Sequence, residues 1–265
     1  MDQDLLPDIP QVNICTWWPL HNLNQHRARL GLPPSRNLIS SAASGVMNQQ
    51  RQPTNSPAYQ GDPSLPRNIP AAIPDELNCR LWITGLPPTC TVHQLLGNIR
   101  GIGPIFACHI TQPNLTGPRI WETAAASLTF FAASAANEFL RQSSYPNQPF
   151  TVGGHRTRMV RHRIRTDSEP VNGQSRVLRI VGDPSIVRPD VLSRVFSELW
   201  NIRFDTDFVQ FRLGFDGRGN NEVIWAFGSF RAQAHTVHRK INNDFRGRAQ
   251  ALYMADPCAL EVTPY

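Results

Sequence analysis

From residue 78 to residue 254 the hydrophobic pattern passes twice through one order of elements, and that repetition constrains the fold more than any single motif. In the first pass, residues 80–86 alternate apolar and other side chains as a short strand does, then stop in the turn Gly85-Leu86-Pro87. Thr91 follows as an N-cap, and Val92, Leu95, Leu96 and Ile99 recur at helical spacing until Gly101 and Gly103. Residues 104–110 and 124–131 read as strands. Ala132, Ala135, Ala136, Phe139 and Leu140 mark a second helix, and residues 157–160 a last strand. The second pass has a strand at 177–182 and a helix on Val191, Leu192, Val195, Phe196 and Leu199. A strand at 208–215, a polar loop at 216–221, a strand at 222–230, a helix at 231–242 and a strand at 249–254 complete it. Each pass is strand-helix-strand-strand-helix-strand, a split βαβ arrangement that puts both helices on one sheet face and leaves the other open.

The expected fold class is therefore α+β: two ferredoxin-like βαββαβ domains in tandem, at residues 76–165 and 176–258. A polar linker at 166–175 joins them, and residues 259–265 form a C-terminal tail. Residues 1–75, rich in Pro, Asn, Gln and Ser, hold too little apolar surface to offset the entropy of ordering and are expected to be disordered. One island interrupts that tail. Trp17 and Trp18 precede Leu20, Leu23, Arg27 and Leu30, which fall near one helical face, a pattern suited to docking on a protein partner.

The net charge of +6 is unevenly spread. Residues 1–75 balance five Asp with five Arg, residues 76–169 set nine Arg against five acids, and residues 170–265 set twelve bases against ten acids. The first folded segment is thus the basic one. Lys240 is the only lysine, so nearly every cation is a guanidinium, which offers a fork for phosphate and a flat face for bases. The five cysteines are scattered with no Cys-x-x-Cys pair, which favours a reducing compartment over disulfides or zinc. The acidic start Met1-Asp2-Gln3-Asp4 leads into no signal-like apolar run, and no stretch approaches the roughly 20 apolar residues of a membrane span. A soluble intracellular protein without cofactor is expected.

The first strand, Leu81-Trp82-Ile83-Thr84-Gly85-Leu86, resembles the first-strand signature of the RNA recognition motif (RRM) family. The resemblance implies that Trp82 points outward and stacks on a base of single-stranded RNA. The family's third-strand signature carries two further outward aromatics. The matching stretch of the first domain, residues 123–130, holds Ala125 and Ser127 there, with Arg119 and Trp121 close by as substitutes. In the second domain, residues 223–230 put Trp225 and Phe227 at those positions, while Arg179 replaces the first-strand aromatic. The run at 155–165 contains five Arg, of which Arg158, Arg161 and Arg163 are expected on phosphates. The implied function is single-stranded RNA binding through Trp82, Trp225, Phe227, Arg179 and these arginines, with nuclear residence. The alternative is a protein-interaction adaptor of an RNA-processing assembly that uses the same sheet faces.

Catalysis and metal binding find little support. His109-Ile110-Thr111 and His155-Arg156-Thr157 mimic the paired histidines of RNA-cleaving phosphoesterases, but their spacing is short and the frame puts them on a strand end and a glycine turn. His235 and His238 lack a third ligand nearby. A peptide-capturing subclass of the RRM fold uses an Arg-x-Phe loop before its last strand; here Asn243 takes the place of that Arg before Asp244 and Phe245.

Overall fold

The computed structural model describes residues 70–116, 120–145 and 147–260. Trp17, Trp18 and almost all of the expected disordered segment lie outside the described residues, as do Arg119 and residues 261–265. The first half forms a four-stranded antiparallel sheet from β1 (Arg80–Leu86), β2 (Ile105–Thr111), β3 (Ala124–Phe130) and β6 (Arg158–Arg161), in the order β2-β3-β1-β6. Leu81, Ile83 and Leu86 of β1 are buried against α1 (Val92–Leu96) and α2 (Ala133–Ser143). Thr91 starts α1 through a capping box: its hydroxyl accepts from the Gln94 N–H, and Gln94 Oε1 accepts from the Thr91 N–H. The α2 helix begins without a cap of its own, and Ser168 of the linker supplies one by accepting the Ala133 N–H at 3.3 Å. A hairpin, β4 (Thr151–Val152) and β5 (His155–Arg156), precedes β6, and Gly153 and Gly154 at φ 55° and 78° make its two-residue loop.

The second half repeats the topology with β7 (Val177–Gly182), β8 (Thr206–Arg212), β9 (Asn221–Phe227) and β10 (Ala249–Tyr253), in the order β10-β7-β9-β8. Its helices are α3 (Pro189–Arg194), extended by a π-helical turn at Val195–Leu199, and α4 (His235–Asp244), entered through a similar turn at Phe230–Ala234. Both sheets have the strand order and connectivity of the RRM fold, so the chain carries two RRM-like domains in tandem. Among the described residues no helix is long and apolar enough to cross a membrane.

Trp225 and Phe227 require a correction. They are 3% and 0% exposed, not on the open face. Arg179 pairs across the sheet with Ile224, whereas Leu178 pairs with Trp225 and Ile180 with Val223. Cross-strand partners share a face, so Trp225 and Phe227 sit on the helix side, stacked at 5.8 Å and 17° and ringed by Phe196 and Phe204. A frame shift of one residue exchanges the faces of a strand. Residues 223–227 are apolar at every position, so alternation within β9 could not choose the frame; the burial of Leu178 and Ile180 on β7 did. The strand also ends at Phe227, three residues earlier than expected, because the chain there turns toward the first domain. The Gly228 carbonyl accepts the Cys108 N–H at 2.9 Å, and Ser229 bridges Ala107 of β2.

The two domains interlock. Arg176 is 0% exposed and lies just before β7. Its Nε and Nη2 grip Asp256 at 3.0 and 2.9 Å, and its Nη1 donates to Asp207 at 2.8 Å and to the Phe227 carbonyl at 3.0 Å. Nη2 also donates to Cys258 Sγ at 3.5 Å, so every N–H of the guanidinium has an acceptor. Burial opposes its charge, yet Asp256, with Asp207 beyond it, holds the guanidinium well above its ordinary pKa. Both carboxylates also bind the first domain: Asp256 accepts the Ile105 N–H at 2.8 Å, and Asp207 meets His93 Nδ1 at 2.9 Å. Past Asp256 the chain turns at Pro257–Ala259, putting Cys258 into the first domain's core, where its carbonyl accepts from Ile102 and Gly103. Phe106, Phe131 and Phe230 close the junction with ring centroids 5.2–5.9 Å apart.

Arg176→Ala strands two buried carboxylates, and a loss of about 3–5 kcal/mol in urea-induced unfolding is expected, with faster amide exchange at Cys108. Trp225→Ala should cost about 3–5 kcal/mol by the same measurement, as a core truncation does; a cost below about 0.5 kcal/mol would place the ring on the surface instead.

Candidate nucleic-acid interface

The open face of the first sheet follows from its register. Trp82 opposes Ser127 on β3 and Val160 on β6, and Arg80 opposes Thr129. His109 opposes Ser127 from β2, Thr111 opposes Ala125, and Arg158 opposes Thr84. Arg80, Trp82, Thr84, His109, Thr111, Ala125, Ser127, Thr129, Arg158 and Val160 therefore share one face, with Ala125 and Ser127 at the outward positions read from the sequence. Trp82 is half-buried on an internal strand and meets the edge of His162 at 5.6 Å and 75°. Val160 is 40% exposed, so this part of the face is open to solvent. Arg80 Nε donates to Ser127 Oγ at 2.7 Å beside the tryptophan.

The basic run divides by strand geometry. Arg158 is exposed on the open face, and Arg163 is exposed just beyond β6. Arg161 is a correction: it pairs with inward-facing Leu81 and turns to the helix side. There it donates to the Asn78 carbonyl at 2.7 Å and to Asn137 Oδ1 on α2, so it ties strand to helix and is turned away from the open face. Consecutive strand residues face opposite ways, and an odd offset separates Arg158 from Arg161. Arg165 pairs with Asp75 at 2.8 Å, while His155 and Arg156 are exposed on the hairpin.

The second sheet presents a different face. Arg179 points outward as expected, but its Nε binds Glu222 at 2.5 Å and its guanidinium lies 5.2 Å from the Phe215 ring centre. Arg212 approaches the same carboxylate at 3.5 Å. Around this cluster stand half-buried Ile224 and Phe208, and Leu252 at 43% exposure.

Other residues singled out by sequence do not converge. His109 is on the edge strand β2 and His155 on the hairpin beside β1, with β3 between them. His235 bonds Tyr253 at 3.0 Å and His238 stacks on that ring at 4.3 Å, and no metal-binding cluster exists among the described residues. Phe245 is buried against Trp200, whose Nε1 donates to Asp244, so this loop is committed to its own domain. Trp121 is 47% exposed in the loop between β2 and β3, bridged to Asn114. Arg80, whose side chain the sequence reading passed over, belongs to the face; its place two residues before Trp82 on the same strand was the available signal.

Burial, with Arg80 next in weight, lowers the pKa of His162 to about 4. An unfolded histidine takes its proton near pH 6.5, so between about pH 6.5 and 4 the unfolded chain binds the proton more readily. The contribution of neutral His162 to stability is present above that window and lost as pH falls through it. His162→Gln should flatten this part of the pH dependence in urea titrations.

No protein-family model and no curated protein matches the chain. Among solved structures, Sex-lethal RNA recognition domains 1 and 2 from Drosophila melanogaster align at 18% identity, covering 67% of this chain and 100% of that one, with a TM-score of 0.24. The first two RRM domains of yeast poly(U) binding protein align at 14% identity over 67% of this chain and 99% of that one, with a TM-score of 0.26. The N-terminal three RNA binding domains of the yeast splicing factor Prp24 align at 14% identity over 68% of each chain, also at 0.26. The fold itself rests on the strand order of the chain's own two sheets: tandem RRM-like domains.

Proposed function

We propose that this protein binds single-stranded RNA on the open sheet of its first domain. The observation that carries this reading is Trp82, held partly exposed on an internal strand and accompanied on the same face by Arg80 and Arg158. A base stacked on one aromatic ring gains about 1–3 kcal/mol, too little alone for tight binding. The remainder comes from phosphate contacts, for which Arg158, Arg163 and the exposed hairpin residues His155 and Arg156 stand along one margin of the sheet. Exposed Trp121 extends the apolar surface at the loop between β2 and β3.

The second sheet supports a protein contact. Glu222, its side chain 7% exposed, holds Arg179 and Arg212 on that face, so a polyanion would meet engaged cations and a fixed carboxylate. Leu252 and Ile224 beside it present apolar surface.

The test is fluorescence anisotropy of the full chain with a labelled pool of short single-stranded RNAs. Trp82→Ala should weaken binding about tenfold while remaining folded, and Arg158→Ala/Arg163→Ala should reduce the log-log salt slope by about 1.4. Leu252→Asp should leave RNA affinity unchanged. Binding no stronger than a salt-sensitive background, or unaffected by loss of Trp82, would overturn the reading.

A further inference from the structure

We propose that Arg80 is the second stacking platform of the first sheet, standing in for the aromatic ring that the third strand lacks. The inference rests on the RNA reading above and extends it to two consecutive nucleotides. The register puts Arg80 and Trp82 on the same face of β1, opposite Thr129 and Ser127. Residues two apart along a strand are separated by about 7 Å, so the two side chains meet neighbouring bases of an extended strand. At the outward positions of β3 stand Ala125 and Ser127, neither of which offers a π face.

Arg80 reaches diagonally across to β3. Its Nε donates to Ser127 Oγ at 2.7 Å, a charge-assisted bond that anchors the guanidinium at the vacated position. Ser127 and Thr129 face outward yet are only 6% and 5% exposed, so that part of the β3 surface is covered. A guanidinium is planar and weakly hydrated, and it stacks on π systems while keeping its charge for phosphate; a lysine ammonium at the same place has the charge and no face. The Nε bond matters because it restricts a long side chain before the ligand arrives, which lowers the ordering cost of binding. Ser127 acts through Arg80 and is a positioning residue.

The experiment measures anisotropy of the full chain with the same labelled RNA pool at fixed salt, for wild type, Trp82→Ala, Arg80→Ala, Arg80→Lys and Ser127→Ala, each verified as folded by its urea midpoint. The expected result is that Arg80→Lys loses about tenfold, close to Arg80→Ala, with the salt slope of wild type retained. Ser127→Ala should lose about two- to tenfold, the worth of one anchoring hydrogen bond. Arg80→Lys binding within about twofold of wild type would overturn the proposal in favour of a simple phosphate contact, and unchanged binding by Arg80→Ala would reduce Arg80 to a structural role. In both cases the loss in Trp82→Ala would leave the RNA reading intact. Wild type that does not bind would instead remove that reading, and this inference with it.

Discussion

The arrangement of the two domains depends on one buried guanidinium. Arg176 is shut away from water, and its charge is tolerable only because Asp256 takes it in two-point contact while Asp207, a backbone carbonyl and the Cys258 sulfur accept its remaining donors. Removing the guanidinium would leave two buried carboxylates without their cation. The same carboxylates reach across the junction to Ile105 and His93, so the groups that satisfy Arg176 within the second domain also hold the first domain against it. A guanidinium with five donors needs acceptors at set positions, which fixes where Asp207 and Asp256 stand for their contacts with the first domain.

That junction determines which surfaces remain for ligands. The edge of β2 is spent on Gly228 and Ser229, and the loop before β2 takes the chain's C-terminal turn through hydrogen bonds to Cys258 and Leu260. What stays open is the face carrying Trp82, Arg80 and Arg158, together with the basic margin along β6 and its hairpin. The second sheet keeps Trp225 and Phe227 for the core and shows an Arg179–Glu222–Arg212 cluster with apolar neighbours. Two copies of one topology thus present surfaces of different chemistry. They do so because their strands divide aromatic residues differently between the two faces.

The fold was largely legible in the sequence because its elements are short, periodic and marked by Gly, Pro and Thr91 at their ends. The outward setting of Trp82 was legible too, since Leu81 and Ile83 flank it and leave one choice of face. In β9 all positions from Val223 to Phe227 are apolar, and a period-two pattern carries no phase when both phases are hydrophobic. The misreading of Arg161 has a related cause: a run of arginines looks like one surface in sequence, while a strand sends alternate residues to opposite sides.

The sequence by itself determined the order of elements, the duplication, the basic character of the first domain and the outward setting of Trp82. Local chemistry suffices for these, because helix caps, turns and alternation are properties of neighbouring residues. Only the tertiary structure decided that Trp225 and Phe227 are core, that Arg161 braces a helix and that Arg80 lies across Ser127. It alone decided that residues 256–260 complete the other domain. Each of these depends on a partner far away along the chain: β7 for the frame of β9, Asn137 for Arg161, Ser127 for Arg80, and Arg176 for Asp256. Contacts at such separation are chosen by burial and by satisfied polar groups, and no window of sequence contains both sides of that choice.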